Sequence, residues 1–369
     1  MKTERGNIFT LNKLSEKEIK NLEILELIRK KGDISRADIS KITGVNIVST
    51  CSYIKNYIDS KLIFEKGFDV STGGRKPELV ELNARENLII GLRAGPALVK
   101  GVLVDLALKP IKKTEVAVRM PGPKGVEDAC SALISELLKT SGAALDNVRT
   151  IGAGAADPDP FLLKGLTEKF GPRVFIGSPA ACAAAGEKYL NPAVSECNFL
   201  YIFSSLGTGT FAQKEEFFED SYSEDAKYLR PWHESLGIVA ETKREVAKGV
   251  GTAIVDLVKA DLGSITEETV MEAAKQNDEI ALGVLHSVAA NLGVRIAYLV
   301  NLFAPQAVVI GGGLEKGGEL MLENIRHTVK RLASKKLAER VNIMPSVVGE
   351  EAVSMGAASL AVREIFLRA

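Results

Sequence analysis

The sequence lacks a surplus of either charge, since 47 Lys and Arg balance 47 Asp and Glu. A uniformly basic nucleic-acid coat and an acidic solvating chain are both excluded as descriptions of the whole. Cysteine is scarce. Cys51, Cys130, Cys182 and Cys197 share no paired spacing, which argues against a disulfide framework or a CxxC zinc site and makes a reducing cytoplasm the expected compartment. No uncharged run of about 18 apolar residues occurs, and residues 2–5 carry charges with no apolar stretch behind them. Neither a membrane span nor a secretory leader is expected.

What is present suits a packed protein of more than one core: 369 residues, 46% hydrophobic and 25% charged, a length that predicts two or three domains. The charge is unevenly spread. Residues 1–83 hold 15 basic and 12 acidic side chains, leaving 32 and 35 for the rest. That asymmetry permits DNA binding by the first segment but does not argue for it alone.

The first 83 residues carry helical and strand patterns in a telling order. From Lys20 to Gly32, Leu22, Ile24, Leu25, Leu27 and Ile28 fall mostly on one stripe, and Gly32 stops the helix. Ser35 stands as an N-cap with Asp38 following, and a shorter helix closes at Gly44. After Asn46 a third helix is predicted to about Ser60. Thr50, Tyr53, Ile54, Tyr57 and Ile58 share one arc, and Val48, Ser49, Ser52, Lys55 and Asn56 share the other. An ordinary amphipathic helix has the same pattern. The small and hydrogen-bonding second arc also suits a helix set in a major groove. Residues 62–65 and 78–82 then read as strands flanking the Gly-rich turn 66–76, whose tip holds Gly74, Arg75 and Lys76. Glycines let a backbone approach a phosphodiester, and two cations neutralise it. Three helices and a hairpin make a winged helix-turn-helix, with candidate DNA contacts at Ser35, Arg36, Asn46, Ile47, Val48, Ser49, Ser52, Lys55, Gly74, Arg75 and Lys76.

Three stretches make a resemblance specific: SRADISKITGV at 35–45, SYIKNYIDSKLI at 52–63 and STGGRKPELVELN at 71–83. They resemble the N-terminal reader of the repressor branch of the ROK family (repressor, ORF, kinase), in which repressors and sugar kinases share one body. Cys51 and Ser52 depart from the Ser and Arg more common there. Beyond Asn83 apolar strands alternate with helical stretches, and the motifs resemble the ROK body throughout. The resemblance implies an α/β fold, an N-terminal winged helix-turn-helix (1–83) plus a two-lobed actin-like ATPase (ribonuclease-H-like) body (84–369). The first lobe is expected at about 84–195 plus the C-terminal helix, the second at about 196–352.

The same resemblance implies what a kinase of this family would need. Where Asp-x-Gly-x-Thr should support Mg²⁺, the segment reads Gly91-Leu92-Arg93-Ala94-Gly95-Pro96-Ala97, with Arg93 at the Asp position. Counting back from Glu187, the Glu-Asn-Asp triplet that supplies the general base falls on Gly177-Ser178-Pro179. The zinc-bearing loop has lost its thiolates, since no cysteine lies between Glu215 and Gly251. His233, Glu241 and Glu245 remain there as candidate ligand-binding residues. Gly207, Thr208 and Gly209, with Gly311, Gly312 and Gly313, resemble two nucleotide loops, although any tight strand-to-helix connection uses glycine. The Pro-Gly turn of the sugar site is represented by Ala155-Ala156-Asp157-Pro158.

The function expected is a cytoplasmic DNA-binding regulator, a repressor of carbohydrate-related genes, with no catalytic residue, metal or cofactor. Its expected partners are a double-stranded operator, a second copy in a homodimer or higher homo-oligomer, and a carbohydrate or derivative as effector, with no membrane. An ATP-dependent sugar kinase of the ROK family is the alternative, and a scaffold that uses neither DNA nor ligand is a third reading.

Overall fold

The computed structural model describes residues 9, 11, 14–68, 78–155, 160–171, 173–203, 209–213, 216–219 and 237–369. They fall into two compact units, Met1–Gly186 with Val353–Ala369, and Glu187–Ala352.

The first unit opens with three helices, α1 (Glu16–Lys31), α2 (Arg36–Thr43) and α3 (Ile47–Asp59). The first helix begins four residues before the sequence pattern suggests. Ser15 and Glu18 form a reciprocal capping box, and acidic side chains in the first turn with basic ones in the last complement the helix dipole. Ser35 caps α2 and Gly44 ends it in the left-handed conformation at φ 70°, where a side chain would be strained. Strand β1 (Ile34–Ser35), not anticipated from sequence, joins β2 (Ile63–Phe68) and β3 (Glu78–Leu82) in a sheet of order β1-β3-β2. Leu22, Leu25, Ile28, Ile39, Ile54, Leu62 and Val80 are buried here.

Next comes a five-stranded sheet: β4 (Leu88–Ala94), β5 (Leu98–Asp105), β6 (Pro110–Ala117), β7 (Val148–Ala155) and β8 (Val174–Gly177), in the order β6-β5-β4-β7-β8. The helices α4 (Pro123–Ser141) and α5 (Pro160–Phe170) cover one face, where Leu133, Ile134, Leu137, Leu162 and Leu166 join the strand residues Ile90, Leu92 and Ile151 in one core. On this unit also pack α6 (Pro179–Leu190), which runs on into the second unit, and the last helix. That last helix comes so close to the sheet that a Cβ at Gly91 would stand 2.0 Å from the Ser354 carbonyl oxygen, and one at Gly152 2.2 Å from that of Ala357. Glycine at both positions allows backbone to meet backbone.

The second unit repeats the plan. Its strands β9 (Phe199–Ile202), β10 (Gly209–Gln213), β11 (Glu216–Glu219), β12 (Ala307–Ile310) and β13 (Asn342–Pro345) lie in the order β11-β10-β9-β12-β13. In both sheets the first three strands form an antiparallel meander and the next two add in parallel. The helices are α7 (Ile238–Val246), α8 (Ala253–Leu257), α9 (Glu267–Lys275), α10 (Glu279–Phe303), α11 (Gly318–Leu332) and α12 (Lys335–Ala338), with α13 (Ala352–Leu367) returning to the first unit. By length and composition α10 could cross a membrane. Its Val284, Leu285, Val288, Leu292 and Ile296 instead form the spine of the core of this unit, the ordinary position of a buried helix.

Candidate nucleic-acid interface

Helix α3 turns two kinds of side chain in opposite directions. Thr50, Ile54 and Tyr57 are buried, whereas Ile47, Val48, Cys51, Ser52, Lys55 and Asn56 are exposed and Ser49 is half-buried. Asn46 caps the helix by accepting from the Ser49 amide at 2.8 Å, and from Ile47 to Ile58 no carboxylate occurs. The positive end of the helix dipole therefore meets solvent without an acidic neighbour on its own helix, a setting that favours an anion. Lys55 is the one cation of α3.

The other predicted contacts are placed differently. Ser35 is buried, and its hydroxyl accepts from the Asp38 amide at 3.1 Å and donates to the Asp38 carboxylate at 2.7 Å. Its chemistry is spent on capping α2. Arg36 is held by Glu78 at 2.7 Å and Glu65 at 2.5 Å, which ties α2 to both strands of the hairpin. Gly74, Arg75 and Lys76 lie outside the described residues.

A set of contacts that the sequence reading missed fastens these helices to the rest of the first unit. The buried Tyr57 hydroxyl donates to Asn21 Oδ1 at 2.8 Å, and Asn21 Nδ2 donates to the main-chain oxygen of Ala369 at 2.7 Å. Burial pushes the Tyr57 phenol up, so it remains a donor. At the other side of the α3 C-terminus, Lys61 adopts φ 60°, and its carbonyl accepts from Asn87 Nδ2 at 3.0 Å. Arg149 of β7 donates to Asn87 Oδ1 at 2.5 Å and to the Ser60 carbonyl at 3.1 Å. Helix α3, sheet and C-terminus are thus joined by directional bonds, of which the one between Tyr57 and Asn21 is buried.

In the second unit the glycine turn after β12 is filled from inside. A Cβ at Gly311 would stand 1.9 Å from the Tyr201 hydroxyl oxygen, and one at Gly312 1.7 Å from the Phe203 carbonyl oxygen. The Gly313 amide donates to the Glu315 carboxylate at 2.9 Å. Gly209 begins β10, and Gly207 and Thr208 lie outside the described residues.

The profile of the ROK family matches residues 248–364. The chain carries a ROK family domain. Two relatives match nearly end to end: the xylose repressor of Bacillus spizizenii is 23% identical, over 94% of this chain and 95% of that one. The DNA-binding transcriptional dual regulator NagC of Escherichia coli is also 23% identical, over 94% and 93%. Among solved structures, a ROK family transcriptional regulator, homologue of the E. coli MLC protein, superposes with a TM-score of 0.74 at 20% identity, covering 95% of this chain and 98% of its own. A ROK family glucokinase from Streptomyces griseus, solved with glucose and AMPPNP, reaches 0.63 at 22% identity; it is matched over 99% of its length by only 74% of this chain. The fold is therefore the sugar-kinase-like, actin-like ATPase fold of the ROK proteins, and the regulator's coverage extends to the part that the kinase lacks.

At the positions that the resemblance assigns to the metal-supporting and general-base carboxylates stand Arg93 and Pro179. Arg93 is exposed on β4, paired across the sheet with Lys100 of β5. Pro179 is the first residue of α6, where a missing N–H costs nothing, and the Ser178 hydroxyl accepts from the Ala181 amide at 3.1 Å. Glu241 is buried and ion-paired with Arg244, and Glu245 lies 2.7 Å from Lys248. His233 lies outside the described residues, as do Ala156, Asp157 and Pro158.

Proposed function

We propose that this chain is a cytoplasmic DNA-binding transcriptional regulator, a repressor of sugar-related genes, whose body no longer phosphorylates sugar. The observation that carries the reading is the exposed face of α3 on a ROK body, free of carboxylates from Ile47 to Ile58, with Asp59 at the far end of the helix. A major-groove reader needs such a face, and a kinase has no use for it. Similarity along nearly the full length to proteins named xylose repressor and NagC supports it. Residues 1–83 act as the reader and 84–369 as the body. Asn46, Ile47, Val48, Ser49, Ser52 and Lys55 approach base edges and nearby phosphates, while the wing residues Gly74, Arg75 and Lys76 track the backbone.

The loss of kinase chemistry rests on charge and acid–base capacity. Arg93 opposite Lys100 places two cations where a Mg²⁺ ion would need a carboxylate. Pro179 offers no group to take a proton from a sugar hydroxyl. At the glycine turn, the Glu315 carboxylate already holds the Gly313 amide, and its charge opposes a nucleotide's phosphates. The body serves instead to dimerise the readers and to answer a carbohydrate or a derivative.

Selection of bound sequences from random duplex DNA with the full chain tests the reading. Enrichment of two similar half-sites separated by whole helical turns is the result expected of a homodimer. Failure to enrich any sequence, at low salt and with folded protein, would remove the DNA-binding reading and leave a scaffold in its place.

A further inference from the structure

We propose that Val48 fixes a thymine in each half-site through the 5-methyl group of that base, a specificity-determining contact that rests on α3 entering the major groove. The corner between α2 and α3 exposes three branched aliphatic side chains: Ile42 at 56%, Ile47 at 47% and Val48 at 78%. Single exposed apolar residues are ordinary. Here three of them gather around one end of one helix, the end whose residues meet base edges in helix-turn-helix docking.

Two occupants could cover this patch, a second copy of the chain or DNA, and charge decides between them. From Ile47 to Ile58 there is no carboxylate, the N-terminal dipole end faces out, and Lys41 and Lys55 lie exposed before and after the patch. A polyanion matches that setting. An apolar contact with another protein would give no reason to keep acids out.

In the major groove the one apolar feature of a base pair is the thymine 5-methyl group. Guanine is normally read by a bidentate Arg or Lys, and α3 holds no Arg, with Lys55 two turns beyond Val48. Ser49 and Ser52 are polar but indifferent among bases. Val48, the most exposed of the three aliphatics, is therefore the side chain on this helix suited to distinguish a base by its methyl group.

The test uses the full chain and the duplex that selection returns. Each consensus thymine in a half-site is replaced in turn by deoxyuridine, which deletes one methyl group and keeps every hydrogen bond. Binding of wild type should weaken about fourfold at one or two positions, the worth of one buried methylene-sized group. Val48→Ser should bind more weakly, melt at the wild-type temperature and lose the penalty at one of those positions. Wild type indifferent to every deoxyuridine overturns the proposal while leaving the DNA-binding reading intact. A penalty at every position that survives in Val48→Ser also overturns it. If no duplex is selected, both fall together.

Discussion

The exposed face of α3 and the glycine turn after β12 use their side chains in opposite directions. On α3, Val48, Ser52 and Lys55 project into solvent where a partner can meet them. At the turn, the Tyr201 hydroxyl sits where the Cβ of residue 311 would be, and Glu315 folds back onto the Gly313 amide. A segment that still reads as a motif can thus keep its surface chemistry or lose it to internal packing, and only the direction of the side chains tells which. On the proposed reading, α3 kept its outward chemistry, whereas the glycine turn after β12 directed its own inward.

The largest effect that could break this contrast is catalysis. Glucose, N-acetylglucosamine, N-acetylmannosamine, fructose and xylose should show no phosphorylation with ATP and Mg²⁺. Loss of a general base alone costs about 10²–10⁴ in rate, and the cations at residues 93 and 100 add to it. A coupled assay that found turnover of roughly 1–100 per second, the ordinary range for kinases, would mean that the body still works outward.

Substitution at the two places should differ next. Gly311→Ala drives a methyl group into the Tyr201 hydroxyl and should destabilise the chain by about 1–3 kcal/mol. Val48→Ser, at a site 78% exposed, should change stability by less than about 0.5 kcal/mol. Urea unfolding of both variants measures the difference, and equal costs would abolish the distinction.

Fastening of the reader comes after that in size. Asn21→Ala strips the buried Tyr57 hydroxyl of its acceptor and leaves the Ala369 oxygen to Lys17 Nζ at 3.3 Å, and an unsatisfied buried polar group costs about 1–3 kcal/mol. Hydrogen exchange should then speed up in α1 and at the end of α3 while the second unit keeps its protection. In the wing, Arg75→Ala with Lys76→Ala should weaken DNA binding and lower the slope of log affinity against log salt by about two. An unchanged slope would take the wing out of the interface.

How far the sequence discloses this arrangement depends on whether the deciding partner is near in the chain. The third helix, its two arcs and the strand pattern of the hairpin are written locally, and the structure places them within a few residues of the reading. The start of α1 is local too, in Ser15 and Glu18, but its charged first turn conceals the apolar period that the reading followed. Strand β6 is not legible in the sequence, because its residues are mostly exposed at a sheet edge and carry Lys112, Lys113 and Glu115 in place of an apolar alternation. The roles of Asn21 and Arg149 were not legible at all. Asn21 meets a residue 348 positions away and Arg149 one 62 positions away, and a lone amide on an apolar stripe does not announce its partner. Arg36 shows the reverse case: as a cation at a helix start it reads as a DNA contact, yet Glu65 and Glu78 engage it.

The smallest effect sharpens the inward half of the contrast, because it asks whether an acid of the body does structural work only. Asp278 caps α10, accepting from the Ala281 amide and the Ala253 amide, each at 2.8 Å, and from the Thr252 hydroxyl at 2.9 Å. Burial by itself would raise its carboxyl, but these donors outweigh burial and hold it below the ordinary carboxylate range. A carboxyl with a lower pKa folded than unfolded contributes stability that is complete above the unfolded value and is lost as pH falls through the folded one. Asp278→Ala should therefore cost about 1 kcal/mol near neutrality, the usual worth of an N-cap, and the gap to wild type should narrow as the pH drops below about 4, where the unfolded carboxyl titrates. Urea unfolding followed across that range gives the comparison directly. A gap that stayed constant down to about pH 2 would show that the charge of Asp278 plays no part in holding the second unit, and that its oxygens serve only as neutral acceptors.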